Sequence, residues 1–420
     1  MSRRYFGTDG VRGVVGADLT PDLVERAARA ATLWSGGGRV LVGRDTRASG
    51  HELEEAVARG IVSAGGTAVL GGVLPTPAVA LLAEHLGVVV SASHNPPEYN
   101  GVKLFLDGGK LVDEQEEEIE ALFDASGPGG GSIERAEDAR ERYVAHVIDA
   151  FGTDLFGLRI GVDCANGAFS DIAPAVFERC GAEVHAIGVT PDGSNINDHV
   201  GATDLGALRG LVVTAGLDLG VAFDGDGDRM LAVDEHGEPV DGDQIIAVLA
   251  LDLGVDIVAV TVMTNLGFHA LMAEHGVKVV TTPVGDRHVL EVLAREGGRL
   301  GGEQSGHVIW LDGHVTGDGL VAGLLLCGAI RGRRTLSEAA GVLFRYPQVL
   351  RSVRVRTREL PAEVASMVES VNAELGERGR VLVRPSGTEP VFRILVEAEN
   401  AEDAEKLCAS IAALVERELG

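Results

Sequence analysis

The stretch Phe223-Asp-Gly-Asp-Gly-Asp-Arg229 follows an apolar run and places three carboxylates, spaced by single glycines, in one loop. Carboxylates this close repel one another unless a cation neutralises them, and hard oxygen ligands suit Mg²⁺, which takes few carboxylates plus a phosphate oxygen. A calcium-binding EF-hand loop is excluded, because its sixth position, counted from Asp224, is Arg229 where glycine is required. The plain alternative is a loop of solvated acids.

A second polar loop, Val90-Ser-Ala-Ser-His-Asn-Pro96, follows three valines. Open α/β sheets bind ligands at such strand ends, and Ser93 with His94 beside it is a candidate nucleophile. Ser, His, Asn and Pro also favour turns, so a structural turn competes with that reading. No Gly-x-Ser-x-Gly elbow is present, which disfavours a serine hydrolase. Arg384-Pro-Ser-Gly-Thr-Glu-Pro390, with Arg393 beyond it, offers hydroxyls, backbone N–H groups around a glycine and two arginines, the parts of a phosphate cradle. A turn between two strands explains it as well. In Leu300-Gly-Gly-Glu-Gln-Ser-Gly-His307, Glu303 and Ser305 could bind sugar hydroxyls from a glycine-shaped loop.

The elements that must position these loops read as α/β layering, in which short apolar runs alternate with helical patterns. Strands are expected at 39–43, 67–71 and 87–91, with helices over 49–64 and 77–85. The pattern restarts with strands at 159–163, 183–187 and 219–223 around a helix over 172–180. It restarts again with strands at 256–260 and 278–281 and a helix over 268–275. No clean sequence repeat relates the three units. A last segment, with strands at 351–356, 381–384 and 391–397 and helices over 361–375 and 401–419, reads as a small α+β domain. The glycine-rich 126–132 reads as the most flexible stretch, ahead of a charged helix over 136–151.

The length of 420 residues accommodates several domains. The N-terminus leads into no apolar signal region and no apolar run approaches a membrane span, so a soluble cytoplasmic protein is expected. Four scattered cysteines lack the spacing of a zinc site or disulfide framework. With 36 basic and 63 acidic residues the net charge is −27, which argues against non-specific nucleic-acid binding and leaves a small anionic substrate open. Only Lys103, Lys110, Lys278 and Lys406 are lysines. No Walker Gly-x-x-x-x-Gly-Lys-Ser/Thr loop supports a kinase. Glycine, at 58 residues, is about twice its usual share of ~7% with no low-complexity tract to account for it, which points to many tight loops.

Together and in their order along the chain, these four loops resemble the α-D-phosphohexomutase superfamily, over essentially the whole chain. The resemblance extends to Tyr5-Phe-Gly-Thr-Asp-Gly-Val-Arg-Gly13, Val162-Asp-Cys-Ala-Asn-Gly-Ala168, Asn195-Ile-Asn197, Val200-Gly-Ala-Thr-Asp204, Val284-Gly-Asp-Arg287, Thr316-Gly-Asp-Gly319 and Tyr346-Pro-Gln348. These stretches are similar to the branch acting on glucosamine phosphates. Pro97-Glu-Tyr-Asn100 departs from that branch and is more like phosphomannomutase/phosphoglucomutase enzymes, whose activity is the alternative. A non-catalytic sugar-phosphate-binding protein on the same fold is a further alternative.

The resemblance implies four domains around a central cleft: α/β domains over 1–135, 136–238 and 239–346, and an α+β domain over 347–420 that closes on the substrate. It implies that Ser93 is a phosphoserine and that Ser93, Asp224, Asp226 and Asp228 hold one Mg²⁺. Lys103, in Asn100-Gly-Val-Lys103, becomes the general acid/base, with Arg12 and His94 assisting. The plain alternative for Lys103 is a cation that neutralises phosphate. Glu303, Ser305, Gly285 and Asp286 are expected at the sugar. Arg384, Ser386, Gly387, Thr388 and Arg393 are expected at the distal phosphate, and Arg229 at phosphate or in a core ion pair. The implied partner is a small sugar phosphate, with glucosamine 1,6-bisphosphate or glucose 1,6-bisphosphate as activator, on a monomer or homodimer.

Overall fold

The computed structural model describes residues 4–7, 10–357, 359–386 and 391–419. Leu86–Val90 is apolar and buried on both faces, as an interior strand of a sheet covered on both sides requires. It pairs in parallel with Arg39–Arg44, which pairs in parallel with Thr67–Val73, and Ser132–Arg135 closes that edge. On its other side runs Tyr99–Leu106, antiparallel, followed by Val11–Val14. The helices Pro21–Trp34 and Gly50–Ser63 pack on this seven-stranded sheet. Thr20 caps the first by accepting the Leu23 N–H, and Pro21 supplies the preset φ of a first helical turn.

Tyr99–Leu106 was not among the expected strands, because the buried Lys103 interrupts its apolar pattern. The helix expected over 77–85 is the shorter Thr76–Leu82. The 126–132 stretch is largely exposed and runs past the helix end, with Gly129 N–H bonded to Ser63 O at 2.9 Å and Gly131 N–H to Val62 O at 3.2 Å. A Cβ on Gly131 would sit 2.1 Å from Gly66 O and one on Gly127 2.0 Å from Ser63 O, so these two glycines serve close approach, whereas Gly129 and Gly130 hold a positive φ in open space.

The second sheet runs Pro239–Val240, Met230–Asp234, Leu219–Phe223, Arg159–Asp163, Glu183–Ile187. Its last three strands are parallel, and Met230–Asp234 returns antiparallel with Phe223 opposite Met230. The third sheet runs Lys278–Thr282, Ile257–Thr261, Leu300–Gly302, Val308–Trp310. Here too a parallel strand, Leu300–Gly302, is followed by an antiparallel return. Each of the three sheets therefore contains the same order of return strand, loop-bearing strand, first strand and second strand. The repeat absent from the sequence is present in the topology.

The last sheet is antiparallel, with Val391–Ala398 between Gln348–Arg354 and Gly379–Pro385. Ala362–Leu375 and Ala401–Leu419 cover it around a core that includes Val353, Phe392, Ile394, Cys408 and Ile411. The architecture is three related α/β domains and a C-terminal α+β domain. The chain forms two compact units, Met1–Thr261 with Val280–Gly341, and Val262–Val279 with Val342–Gly420. The segment 262–279 is tied into the second unit by Asn265, which exchanges two hydrogen bonds with the Tyr346 backbone. Glu397, fully buried, accepts from Gln348 and from Leu266 N–H and pairs with Arg380.

Candidate active site

Ser93 sits on the loop joining Leu86–Val90 to Tyr99–Leu106, only 1% exposed, with φ +52°. A left-handed conformation costs a non-glycine residue about 1–3 kcal/mol, so its surroundings must enforce it. The Ser93 hydroxyl donates to Asp224 Oδ2 at 2.5 Å and lies 3.2 Å from His94 Nδ1. Gly225 permits this approach: a Cβ there would fall 2.7 Å from Ser93 O.

Asp224, Asp226 and Asp228 fill the hairpin loop after Leu219–Phe223. Among the described residues they form the acidic group able to hold a metal, with ligand oxygens within 4.8 Å of one another. All three are buried. Asp224 Oδ1 accepts the Gly227 and Arg229 N–H groups. Asp226 Oδ2 accepts from Thr76 Oγ1 at 2.5 Å and from Lys103 Nζ at 2.7 Å, and Lys103 also reaches Asp228 Oδ2 at 3.1 Å. Asp226 Oδ1 and Asp228 Oδ1 are buried without a hydrogen-bond partner.

Burial, then the charges of Asp228 and Asp226, push the Asp224 carboxyl well up. Burial also works against the charge of Asp228, but Lys103, His307 and Lys110 outweigh it and hold that carboxyl well down. A buried oxygen cluster with two unbonded carboxylate oxygens fits a hard divalent cation such as Mg²⁺. Asp224, Asp226, Asp228 and the Ser93 oxygen are the groups that would hold it.

Arg229 lies over the same carboxylates. Burial opposes its charge, but Asp228, Asp224 and Glu303 keep it firmly protonated. Its Nη1 donates to His94 Nδ1 at 3.2 Å. Burial, then Arg229 and Arg12, lower His94 to about 4, so near neutral pH its imidazole is an uncharged acceptor. Arg12 lies on Val11–Val14 opposite Gly101, one strand from the Ser93 loop.

Lys103, 1% exposed, is placed by the register of Tyr99–Leu106 opposite Val89. In the third sheet, Glu303 begins the loop before Val308–Trp310, and its Oε1 accepts the Gly285 N–H at 3.1 Å. Ser305 in that loop is exposed. Asp286 is engaged by Lys110 at 2.6 Å and by His307 at 3.1 Å. Burial disfavours a charged His307, yet Asp286 and Asp228 raise it to about 10, making it a buried imidazolium 3.8 Å from Asp228. Asp286 is thus committed to an ion-pair chain running from Lys110 through His307 toward the aspartate loop.

In the C-terminal unit, Arg384 and Arg393 lie directly opposite each other on adjacent strands. Like charges in that register repel, an arrangement suited to an anion. Ser386 is buried, and its N–H bonds Val391 O at 2.8 Å. Gly387 and Thr388 lie outside the described residues.

Thr76, Asp45 and Arg47 carry no signal in the sequence, and Asn197 is marked only as part of Asn195-Ile-Asn197. All four support the loops through contacts across 46 to 150 positions of sequence. His307 was visible in its motif, but nothing local to it announced Asp286 or Lys110.

The chain matches, in order, four domain families described as phosphoglucomutase/phosphomannomutase: alpha/beta/alpha domain I over residues 3–128, domain II over 141–237, domain III over 241–346 and the C-terminal domain over 351–414. A similar fold is seen in a phosphoglucomutase/phosphomannomutase family protein from Burkholderia thailandensis, with TM-score 0.83, 25% identity and 97% of each chain covered. The chain belongs to the phosphoglucomutase/phosphomannomutase family and is an enzyme of the phosphohexomutase class.

Within that class, its similar relatives are phosphoglucosamine mutases. One from Saccharopolyspora erythraea is 49% identical, covering 98% of this chain and 99% of that protein. One from Streptomyces griseus is 48% identical, covering 99% and 100%. No described helix is long and apolar enough to cross a membrane.

Proposed function

We propose that the chain interconverts glucosamine 6-phosphate and glucosamine 1-phosphate through phosphoserine 93 and a 1,6-bisphosphate intermediate. Its product would feed UDP-N-acetylglucosamine and cell-wall synthesis. The observation that carries this is the Ser93 hydroxyl, buried 2.5 Å from an aspartate of a three-carboxylate metal loop, with Lys103 bridging the other two. The relatives at 48–49% identity support the amino sugar as substrate.

In the forward direction the sugar's anomeric oxygen attacks the phosphorus of phosphoserine 93. The Ser93 O–P bond breaks as the new O–P bond forms. The proton lost by the sugar hydroxyl ends on the Ser93 oxygen, passed by Lys103 with Arg12 and His94 beside it. The bisphosphate turns around and the Ser93 oxygen attacks its 6-phosphorus; the sugar O6–P bond breaks, the Ser93 proton passes to O6, and glucosamine 1-phosphate leaves phosphoserine 93 behind. Mg²⁺ at the aspartates would supply charge neutralisation on the transferring phosphoryl group. Arg229 adds a fixed positive charge beside Ser93. Glu303 and Ser305 hold the sugar in either orientation, with Gly285 and Asp286 supporting that side. Arg384, Ser386, Gly387, Thr388 and Arg393 serve as the grip for the phosphate that is not reacting.

Domain limits at 135/136, 238/239 and 346/347, a cytoplasmic location, a monomer or homodimer, and priming by glucosamine 1,6-bisphosphate or glucose 1,6-bisphosphate belong to the same proposal. The Pro97–Asn100 variant favours mannose or glucose phosphate as the alternative substrate. Its backbone and side chains brace the serine loop, however: Asn100 donates to Ser49 Oγ, and Tyr99 O accepts from Arg47. That placement weakens it as a reporter of the sugar.

The test is kcat/KM for glucosamine, mannose and glucose 6-phosphates, with Mg²⁺ and a trace of bisphosphate. A preference for glucosamine phosphate of about tenfold or more, ~1.4 kcal/mol, is expected. The reverse order would assign the alternative activity, and no turnover of any would return the binding-protein reading.

A further inference from the structure

Arg47 lies beneath the Ser93 loop with its side chain fully buried, and each of its five N–H donors has an acceptor. Nε bonds Asp45 Oδ2 at 2.9 Å. Nη1 reaches Tyr99 O at 3.0 Å and Pro96 O, and Nη2 reaches Ser93 O at 2.9 Å and Asn95 O at 2.8 Å. Asp45 completes the arrangement by accepting from Ser91 Oγ, which itself accepts the Ser93 N–H. Four carbonyls in seven residues are therefore drawn onto one guanidinium.

A second donor meets two of the same carbonyls. Asn197 Nδ2 donates to Ser93 O at 2.9 Å and to Asn95 O at 3.1 Å. Asn197 belongs to the second α/β domain, and its own N–H is fixed by Ala165 O at 2.9 Å. Its Nδ2 would also lie 3.0 Å from a Cβ at Gly225, so it stands where the serine and aspartate loops touch.

A fully buried charge pair is an expensive way to hold up a surface turn, since desolvation offsets most of its Coulomb attraction. An apolar plug would fill the space at less cost, but it could not satisfy the converging carbonyls. Those carbonyls converge in a loop whose serine is left-handed. The clamp therefore accounts for the conformation that aims the serine oxygen at Asp224.

We infer that Arg47 and Asn197 are positioning residues for phosphoryl transfer: together they clamp the Ser93 loop from two domains and fix the attack geometry at the serine oxygen. Neither needs to touch substrate. The inference rests on the proposed phosphoserine mechanism and adds to it the groups that hold the serine in line. In-line displacement is sensitive to displacements of the order of 1 Å, so loosening the loop acts on the chemical step and not on sugar binding.

The experiment compares the full-length wild type with Asn197→Asp, Asn197→Gly and Arg47→Lys. Asn197→Asp keeps the side-chain shape and tolerates the left-handed backbone while losing the N–H donors; Asn197→Gly removes the side chain without straining φ. Lysine offers three donors on a single point and cannot span the four carbonyls. The expected result is a fall in kcat of about tenfold or more for each variant, with KM for the sugar phosphate within about threefold of wild type. Backbone hydrogen exchange in residues 93–100 should rise in the same variants while the rest of the first domain stays protected.

Should Arg47→Lys fail to fold, the two Asn197 variants carry the test alone. Wild-type kcat in Asn197→Asp and Asn197→Gly overturns the clamp, whatever happens to exchange. So does a loss confined to KM or to melting temperature. An inactive wild type strikes the mutase reading, and the exchange measurement still tests the clamp: unchanged protection over 93–100 in the variants would then overturn it.

Discussion

The loop after Leu86–Val90 and the loop after Leu300–Gly302 each join a parallel strand to its antiparallel return. The first is secured by side chains from elsewhere: a buried Asp45–Arg47 pair, Asn197, and Gly225 making room for Ser93 O. The second is secured mainly by backbone: Glu303 N–H bonds His307 O, Gly306 N–H bonds Glu303 O, and neighbouring segments add Gly242 N–H to Gln304 O and Met230 N–H to Gly306 O. It leaves Ser305 exposed. The difference matches the role proposed for each loop. A group that transfers phosphoryl needs one fixed geometry, whereas a group that holds a sugar in two orientations needs reach and open acceptors.

The sharpest way to break this contrast is Ser93→Ala. It should lose turnover by about 10³-fold or more while keeping the wild-type melting temperature, read by a coupled assay and calorimetry. Retained turnover would remove the serine loop's special standing. Glu303→Gln keeps an acceptor for Gly285 N–H and removes only a charge. It should lower kcat/KM by about 10–100-fold, the worth of a charged hydrogen bond, with Mg²⁺ affinity unchanged in titration calorimetry.

Thr76→Val removes the hydroxyl that orients Asp226 and should weaken Mg²⁺ binding by about tenfold, measured on the enzyme without substrate. The smallest effect concerns stability, at Glu235 just beyond the return strand of the aspartate hairpin. Burial opposes its charge, but the Ser337 and Thr335 hydroxyls and the Ser337 N–H overcome this and hold its carboxyl at about 2. Because the folded value lies below the unfolded one, its contribution is present above about pH 4.5 and is lost as pH falls toward 2. Melting temperature should drop over that window, and Ser337→Ala should flatten the drop.

The loops themselves were legible in the sequence because chemistry concentrates unusual residues: Asp between glycines, Ser-His-Asn-Pro after valines, two arginines around Ser-Gly-Thr. The strands before them were legible as apolar runs, and the α+β character of the C-terminal domain followed from its element order. The return strands were not, since Tyr99–Leu106 carries a buried lysine and Val308–Trp310 has only three residues. Nor were the supports. Arg47 looks like any arginine after a strand until the fold brings residues 93–99 over it, and Thr76 looks like a helix start until Asp226 arrives beside it. In the glycine-rich stretch near residue 130, composition does not separate glycines packed against backbone, Gly127 and Gly131, from Gly129 and Gly130 in open space.

The most direct test of the central claim follows the phosphoryl group itself. The enzyme is charged with glucose 1,6-bisphosphate in the presence of Mg²⁺, freed of small molecules, and mixed with glucosamine 6-phosphate in a quench-flow experiment. Mass spectrometry then reads the peptide containing Ser93. The account requires phosphate on Ser93 before mixing and its transfer to the sugar at a rate no slower than kcat. Phosphate found on another residue, or a phosphoserine 93 that discharges more slowly than the enzyme turns over, would contradict it.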